Sequence, residues 1–280
     1  MKGKEKHMPV KKGKRPARKP VAKLVAKPVV KIKAGAQKAA RAETAPAPVR
    51  RYRAVLFLVM LLIVTAAFGV LTFLVKTMPS FPLDLQITLG IQSINIPVFG
   101  GLMTAVSWVG FAPQSMIITG LIILVILGFG LQWEALASLI AALLSIGLNV
   151  LVKDLIQRPR PAANLVHVLA TLTDYSFPSG HVMFYTGFYG FIIFLAFTLL
   201  KPSLKRTLLL VVFGLLVLLV GISRIYVGEH WASDVVGAYL LGTLTLVGVI
   251  QLYRWGKPRF FVRQPVAKPE PLKAKKGSTA

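Results

Sequence analysis

The chain has 280 residues, 55% apolar and 15% charged, with no cysteine, and its 34 Lys and Arg against 9 Asp and Glu give a formal net charge of +25. An apolar share above the roughly 45–50% of ordinary domains, joined to so large a charge, fits neither a soluble enzyme nor a disordered chain. Without cysteine, disulfide frameworks, Cys-ligated zinc and thiol nucleophiles are excluded.

The two properties are segregated along the chain. Residues 1–53 carry 18 basic and 2 acidic side chains, residues 254–280 carry 8 and 1, and the 200 residues between carry 8 and 6. The N-terminal arm repeats Pro-Val-Ala-Lys, Leu-Val-Ala-Lys and Pro-Val-Val-Lys and has no Phe, Tyr or Trp before Tyr52. Such a composition buries no core and predicts disorder. The arm suits anionic lipid headgroups, at about 1 kcal/mol per Lys or Arg near the surface. The alternative is a solubilising tail that only sets topology, with nucleic acid the less favoured partner.

Roughly 20 apolar residues in a helix cross a hydrocarbon core of about 30 Å. Ala54–Val75 meets this without a charge, and Ser115–Leu131, Ala135–Val152, His181–Leu200, Leu208–Ile222 and Val235–Tyr253 follow. Lipid offers the backbone no hydrogen-bond partners and none of these runs alternates, so they predict helices. The fold class is all-α: a polytopic membrane helical bundle of about six transmembrane helices over residues 54–253, with disordered basic tails at 1–53 and 254–280. The first run starts beyond residue 50 and is long enough to remain as an anchor, which argues against a cleaved signal peptide. Within 76–114, Ile87, Ile91 and Ile94 recur at helical spacing and predict a short helix in the outer interface.

Lys and Arg accumulate in cytoplasmic connections. The arm, the Lys201–Arg206 connection and the C-terminal tail are all basic, and six spans put all three on one side. Both termini are therefore expected in the cytoplasm. The connections 76–114, 153–180 and 223–234 fall on the other face.

The few charges of the middle segment form three groups, and ionisable groups at membrane depth are read as functional. The first is Lys153 to Pro161, where Lys153 and Arg160 share a face if the helix continues and together suit a phosphate. The second is Pro178-Ser179-Gly180-His181, whose hydroxyl and helix-start N–H groups can bind an oxyanion and whose imidazole can give a proton to a leaving oxygen. The third runs from Ser223 to Asp234. On a helix, Asp234 at i+4 would fix the tautomer of His230 and leave its other nitrogen free as nucleophile or base, with Arg224 as a further cation. Taken singly, each group also reads as snorkelling cations, a capped helix start or a structural His–Asp pair.

In this order the strings Lys153…Arg160-Pro161, Pro178-Ser179-Gly180-His181 and Ser223-Arg224…His230…Asp234 resemble the type 2 phosphatidic acid phosphatase superfamily, membrane lipid phosphatases related to vanadium haloperoxidases. Its pattern is K-x6-R-P, P-S-G-H and S-R-x5-H-x3-D, and no motif residue is missing. Arg158-Pro159 also reads as Arg-Pro, but only Arg160 has the family spacing from Lys153. The resemblance covers about residues 54–253, which would then be a phosphatase domain. It implies that His230 attacks phosphorus and forms a phosphohistidine oriented by Asp234, and that His181 protonates the leaving oxygen and later activates water. Lys153, Arg160, Ser179, Arg224 and the Gly180 amide would hold the phosphate, with no metal or cofactor. The implied substrate is a lipid phosphate or diphosphate reached at the extracytoplasmic face of the plasma membrane. Undecaprenyl diphosphate is slightly favoured over phosphatidylglycerophosphate and phosphatidic acid. Phosphotransfer to an acceptor other than water, or a binding protein with a decayed site, are the other readings.

Overall fold

The computed structural model describes residues 47–78, 80–170 and 172–258. Among these the regular structure is entirely helical. The expected disordered tails lie, for the most part, outside the described residues. Helix α1, Ala47–Thr77, takes in the last residues of the basic arm, and the final helix runs on to Gly256. Among the described residues five helices are long and apolar enough to cross a membrane, or six if one bent pair counts as a span.

Helix α2 (Pro82–Gln92) starts with proline at its first turn, where the missing N–H costs nothing. It is the short helix expected from the isoleucine spacing. Ile87 and Ile91 pack on the buried core, whereas Ile94 follows the helix end. Residues read from the sequence as connection form a further helix, α3 (Pro97–Val109), which meets α4 (Gln114–Gly128) at 65°. Gly110–Pro113 make that joint, because Pro113 removes an N–H that a continuous helix would need.

Helix α5 (Gln132–Ile156) rises about 37 Å at 1.5 Å per residue. One stripe of it is buried and mostly small or polar: Glu134, Ser138, Ala141, Ser145, Asn149 and Lys153. Spacings of three and four put these on one face, so the stripe leads from Glu134 at one end of the bundle to Lys153 at the other. Small residues let a neighbour close in. A Cβ at Gly187 would stand 2.0 Å from the Ser145 hydroxyl, so that crossing requires glycine.

Helix α6 (Gly180–Leu199) contains a π turn at Tyr185–Tyr189. Its rings pack on one another, Tyr185 edge-on to Tyr189 at 4.8 Å between centroids and Phe184 stacked on Phe188 at 5.3 Å. Helix α7 (Leu204–Tyr226) begins at Ser203, whose hydroxyl accepts from the Arg206 N–H at 3.3 Å. Helix α8 (Ala232–Gly256) completes the bundle. Helix α3 packs on α7, α4 on α5, and α6 against α5, α7 and α8, while α2 touches both α7 and α8. Large apolar side chains cover the outward faces, as a lipid-facing bundle requires. The end of α5 and the starts of α6 and α8 come together at one end with the end of α7, and all three sequence motifs lie there.

Candidate active site

Helix α5 stops at Ile156. Gln157 adopts a left-handed conformation (φ 57°) and donates its N–H to the Lys153 carbonyl at 2.8 Å. Pro159 and Pro161 then keep the chain extended. Lys153 and Arg160 therefore do not share one continuous helical face as the spacing alone suggested, because the helix ends between them. They still converge. Asp174 forms an ion pair with Lys153 and a second one with Arg160 Nη2 at 2.6 Å, and its carbonyl accepts from Arg160 Nε at 2.9 Å. Arg160 Nη1 also donates to the Glu229 carbonyl at 2.6 Å and stands 3.3 Å from His230 Nε2. Burial pushes the Asp174 carboxyl up, but the hydrogen bond and charge of Lys153, with Arg160 behind them, hold it below its ordinary value.

The Pro-Ser-Gly-His turn is fixed from two sides. Asn149 donates to the Pro178 carbonyl at 2.9 Å, and the Ser179 N–H donates to the Asp234 carbonyl at 3.3 Å. Ser179 itself is fully buried, and its hydroxyl oxygen has no partner among the described residues. His181 projects toward the α3–α4 joint, where its ring meets Phe111 edge-on at 4.7 Å. A Cβ at Gly110 would lie 2.1 Å from its Cδ2, so only glycine leaves room for this imidazole. His181 Nε2 is likewise buried and without a partner among the described residues.

The third motif closes the cluster. Beyond α7 the chain turns at Gly228 (φ 71°), where a Cβ would stand 2.0 Å from the His167 carbonyl oxygen. The N–H groups of Glu229 and His230 return to the Arg224 carbonyl at 3.2 and 3.3 Å. Arg224 is buried, paired with Glu229, hydrogen-bonded to Ser107 and 5.0 Å from the Phe111 ring centre. His230 is 1% exposed. It lies in the turn before α8 and not on a helix with Asp234, and its Nδ1 is 3.6 Å from Asp234 Oδ2, beyond hydrogen-bond range. Burial first, then the charges of Arg160, Arg224 and Lys153, push its pKa well below the ordinary imidazole value. A neutral imidazole keeps a lone pair for nucleophilic attack.

Sequence reasoning missed what stands behind Asp234. Arg158 bridges Asp234 Oδ1 at 2.5 Å and Asp84 Oδ2 at 2.8 Å with its side chain wholly buried. Asp84, in the first turn of α2, also accepts from the Ser233 N–H at 2.8 Å and from its hydroxyl at 2.6 Å. The other Asp234 oxygen accepts from the Ser176 hydroxyl and from the Trp231 N–H at 2.9 Å. The carboxylate beside His230 is thus held by three donors. The available signal was the doubled Arg-Pro at 158–161, which on spacing alone looked like an ambiguity. In the structure the two arginines divide the work, with Arg160 at His230 and Arg158 behind Asp234.

This arrangement joins two imidazoles, one of them backed by a carboxylate, to a ring of cations and N–H donors on a helical membrane scaffold, which is equipment for chemistry on an anionic group. Residues 134–258 match the family described as the PAP2 superfamily. Phosphatidylglycerophosphatase B of Bacillus subtilis is 36% identical over 132 residues, 44% of this chain and 62% of that protein. An undecaprenyl-diphosphatase of Sulfolobus acidocaldarius is 43% identical over 72 residues, 25% of this chain and 30% of that one. The chain thus spans less than two thirds of the length of these curated relatives. The crystal structure of a transmembrane PAP2-type phosphatidylglycerolphosphate phosphatase from Bacillus subtilis superposes with a TM-score of 0.62 at 26% identity, over 71% of this chain and 98% of that one.

Proposed function

We propose that the protein is a phosphatase that removes a terminal phosphate from a membrane lipid phosphate or diphosphate through a phosphohistidine on His230. The observation that carries this is the meeting of Lys153, Arg160, Ser179, His181, His230 and Asp234 at one end of the bundle, with Arg160 Nη1 3.3 Å from His230 Nε2. In the first step the Nε2 lone pair attacks phosphorus, a P–N bond forms and the P–O bond to the lipid breaks. His181 gives its proton to the departing oxygen. In the second step His181 takes a proton from water, whose oxygen attacks phosphorus as the P–N bond breaks, releasing inorganic phosphate and returning His230 to its neutral form. Lys153, Arg160, Arg224 and the donors at the start of α6 offset the charge that develops on the phosphoryl oxygens.

Both curated relatives are named for lipid phosphatase activities, one on phosphatidylglycerophosphate and one on undecaprenyl diphosphate. The first likeness covers more of the chain and makes phosphatidylglycerophosphate the first substrate to offer, ahead of the undecaprenyl diphosphate favoured from the sequence. The basic segments at 1–53, 201–206 and 254–280 support an extracytoplasmic site with cytoplasmic termini. The test is phosphate release by the purified full chain in detergent, over phosphatidylglycerophosphate, undecaprenyl diphosphate and phosphatidic acid. Release from at least one of them supports the reading, and no release from any, by folded protein, overturns it. Single cysteines at Asn164 and Ser203 should react with an impermeant maleimide from opposite sides of the membrane. Labelling of Asn164 from the cytoplasmic side alone overturns the topology.

A further inference from the structure

The two cations on which phosphate binding depends are already engaged by a carboxylate of the same chain. Asp174 pairs with both Lys153 and Arg160, one through each oxygen. It is the exposed member of the trio: its side chain is 55% accessible, against 8% for Lys153 and 12% for Arg160. Its backbone is anchored at its own carbonyl, which accepts from Arg160 Nε at 2.9 Å, and two residues on, where the Ser176 N–H donates to the Arg158 carbonyl, also at 2.9 Å. Two oxygens of one planar group held by a lysine and an arginine reproduce the contacts that two oxygens of a phosphate would make.

Resting on the phosphatase reading, we propose that Asp174 is a built-in competitor for the phosphate-binding cations and thereby sets which phosphates are accepted. It holds Lys153 and Arg160 in the free enzyme, yields to the terminal phosphate of a substrate, and returns after hydrolysis to help expel inorganic phosphate. The selectivity follows from charge. A terminal phosphate near neutral pH carries nearly two negative charges and outbids a single carboxylate for the two cations. A phosphodiester headgroup carries one and gains nothing over Asp174. The many diester lipids around the protein are thus kept from occupying the site, while the rarer terminal phosphates enter. A carboxylate already tethered in place competes at a high effective concentration, so its removal should be felt strongly.

The test uses the full chain in detergent and compares Asp174→Asn, Asp174→Glu and, as a neighbouring charge control, Asp154→Asn, whose acid is exposed one residue from Lys153. Binding of inorganic phosphate is measured by calorimetry, and inhibition of lipid phosphate turnover is measured with phosphatidylglycerol in mixed micelles. Asp174→Asn should bind phosphate roughly tenfold tighter or more, and should become sensitive to phosphatidylglycerol. Asp174→Glu keeps the carboxylate and should stay insensitive to the diester, and Asp154→Asn should behave as the unaltered chain. Phosphate binding that weakens or stays the same in Asp174→Asn overturns the proposal, because it makes Asp174 an orienting partner of the cations. So does the failure of diester inhibition to appear. Failure of the phosphatase reading looks different: neither the unaltered chain nor any variant binds phosphate or turns over a lipid phosphate.

Discussion

The two ends of the bundle bury charge in different ways. Away from the site, Glu134 at the start of α5 is paired with Lys257 and accepts from the Tyr253 hydroxyl at 2.9 Å, tying α5 to the end of α8. Lys257 in turn donates to the Tyr253 hydroxyl at 2.7 Å, so every member of that cluster is used within the chain. At the other end, the pairs Asp84–Arg158–Asp234 and Arg224–Glu229 are buried more deeply, since Lys257 keeps 26% of its side chain accessible and no member of these pairs keeps more than 5%. Beside them, however, Ser179 Oγ, His181 Nε2 and His230 Nδ1 have no partner among the described residues. A buried polar atom left unpaired costs about 1–3 kcal/mol. Buried pairing therefore marks only a structural clamp. Paired charges set among unpaired hydrogen-bonding groups mark a place built to receive a ligand.

The sharpest way to test this contrast is to remove a group at the site that no other can replace. His230→Ala should lower turnover by roughly 10⁴-fold or more and abolish any acid-labile phosphoenzyme, read by phosphate release and by trapping with labelled substrate. His181→Ala should retain a weak, trappable phosphoenzyme with a substrate whose leaving group needs little protonation. The reverse pattern would exchange the two histidines in the mechanism.

Removing the clamp behind the site should act on both stability and rate. Arg158→Ala leaves Asp84 and Asp234 buried without their shared cation, and loss of one partner in such a network costs about 3–5 kcal/mol. A large fall in the thermal midpoint in detergent, with loss of turnover in whatever remains folded, is the expected result. An unchanged midpoint would show that the network carries no load.

At the opposite end, Glu134→Gln should lower stability by roughly 1–3 kcal/mol and leave kcat/KM within about twofold of the unaltered chain. A loss of turnover at unchanged stability would erase the distinction between the ends. The acid response adds a finer test. His230 is held neutral in the folded chain, with its pKa below the ordinary imidazole value. The unfolded chain binds the extra proton first as pH falls, so the contribution of this group to stability is intact above about pH 6.5 and declines below it. The unfolding midpoint of the unaltered protein should therefore drop between about pH 6.5 and 5 more than that of His230→Asn. The smallest effect is expected from deleting residues 2–45, which end ahead of α1. Turnover of a detergent-solubilised substrate should be nearly unchanged.

Much of this protein was legible in the sequence, for a local reason. Crossing a membrane depends on the length and composition of one segment, and Ala54–Val75 satisfies it without reference to any other residue. The motif residues stood out because charge is rare in such segments, so Lys153, Arg160, His181, Arg224, His230 and Asp234 could be singled out from type and order. Partner choice was decided by tertiary structure alone. The end of α5 at Ile156 sent Arg158 to Asp84, 74 residues away in sequence, and brought Asp84 to Ser233 across 149 residues. The same turn gave Lys153 and Arg160 to Asp174, which no helical spacing relates to either. The α3–α4 bend put Gly110 and Phe111 against His181. Periodicity reports which residues of one helix share a face. Which charge on another element meets them is set by where helices stop and how they pack, and those distances exist only once the chain is folded.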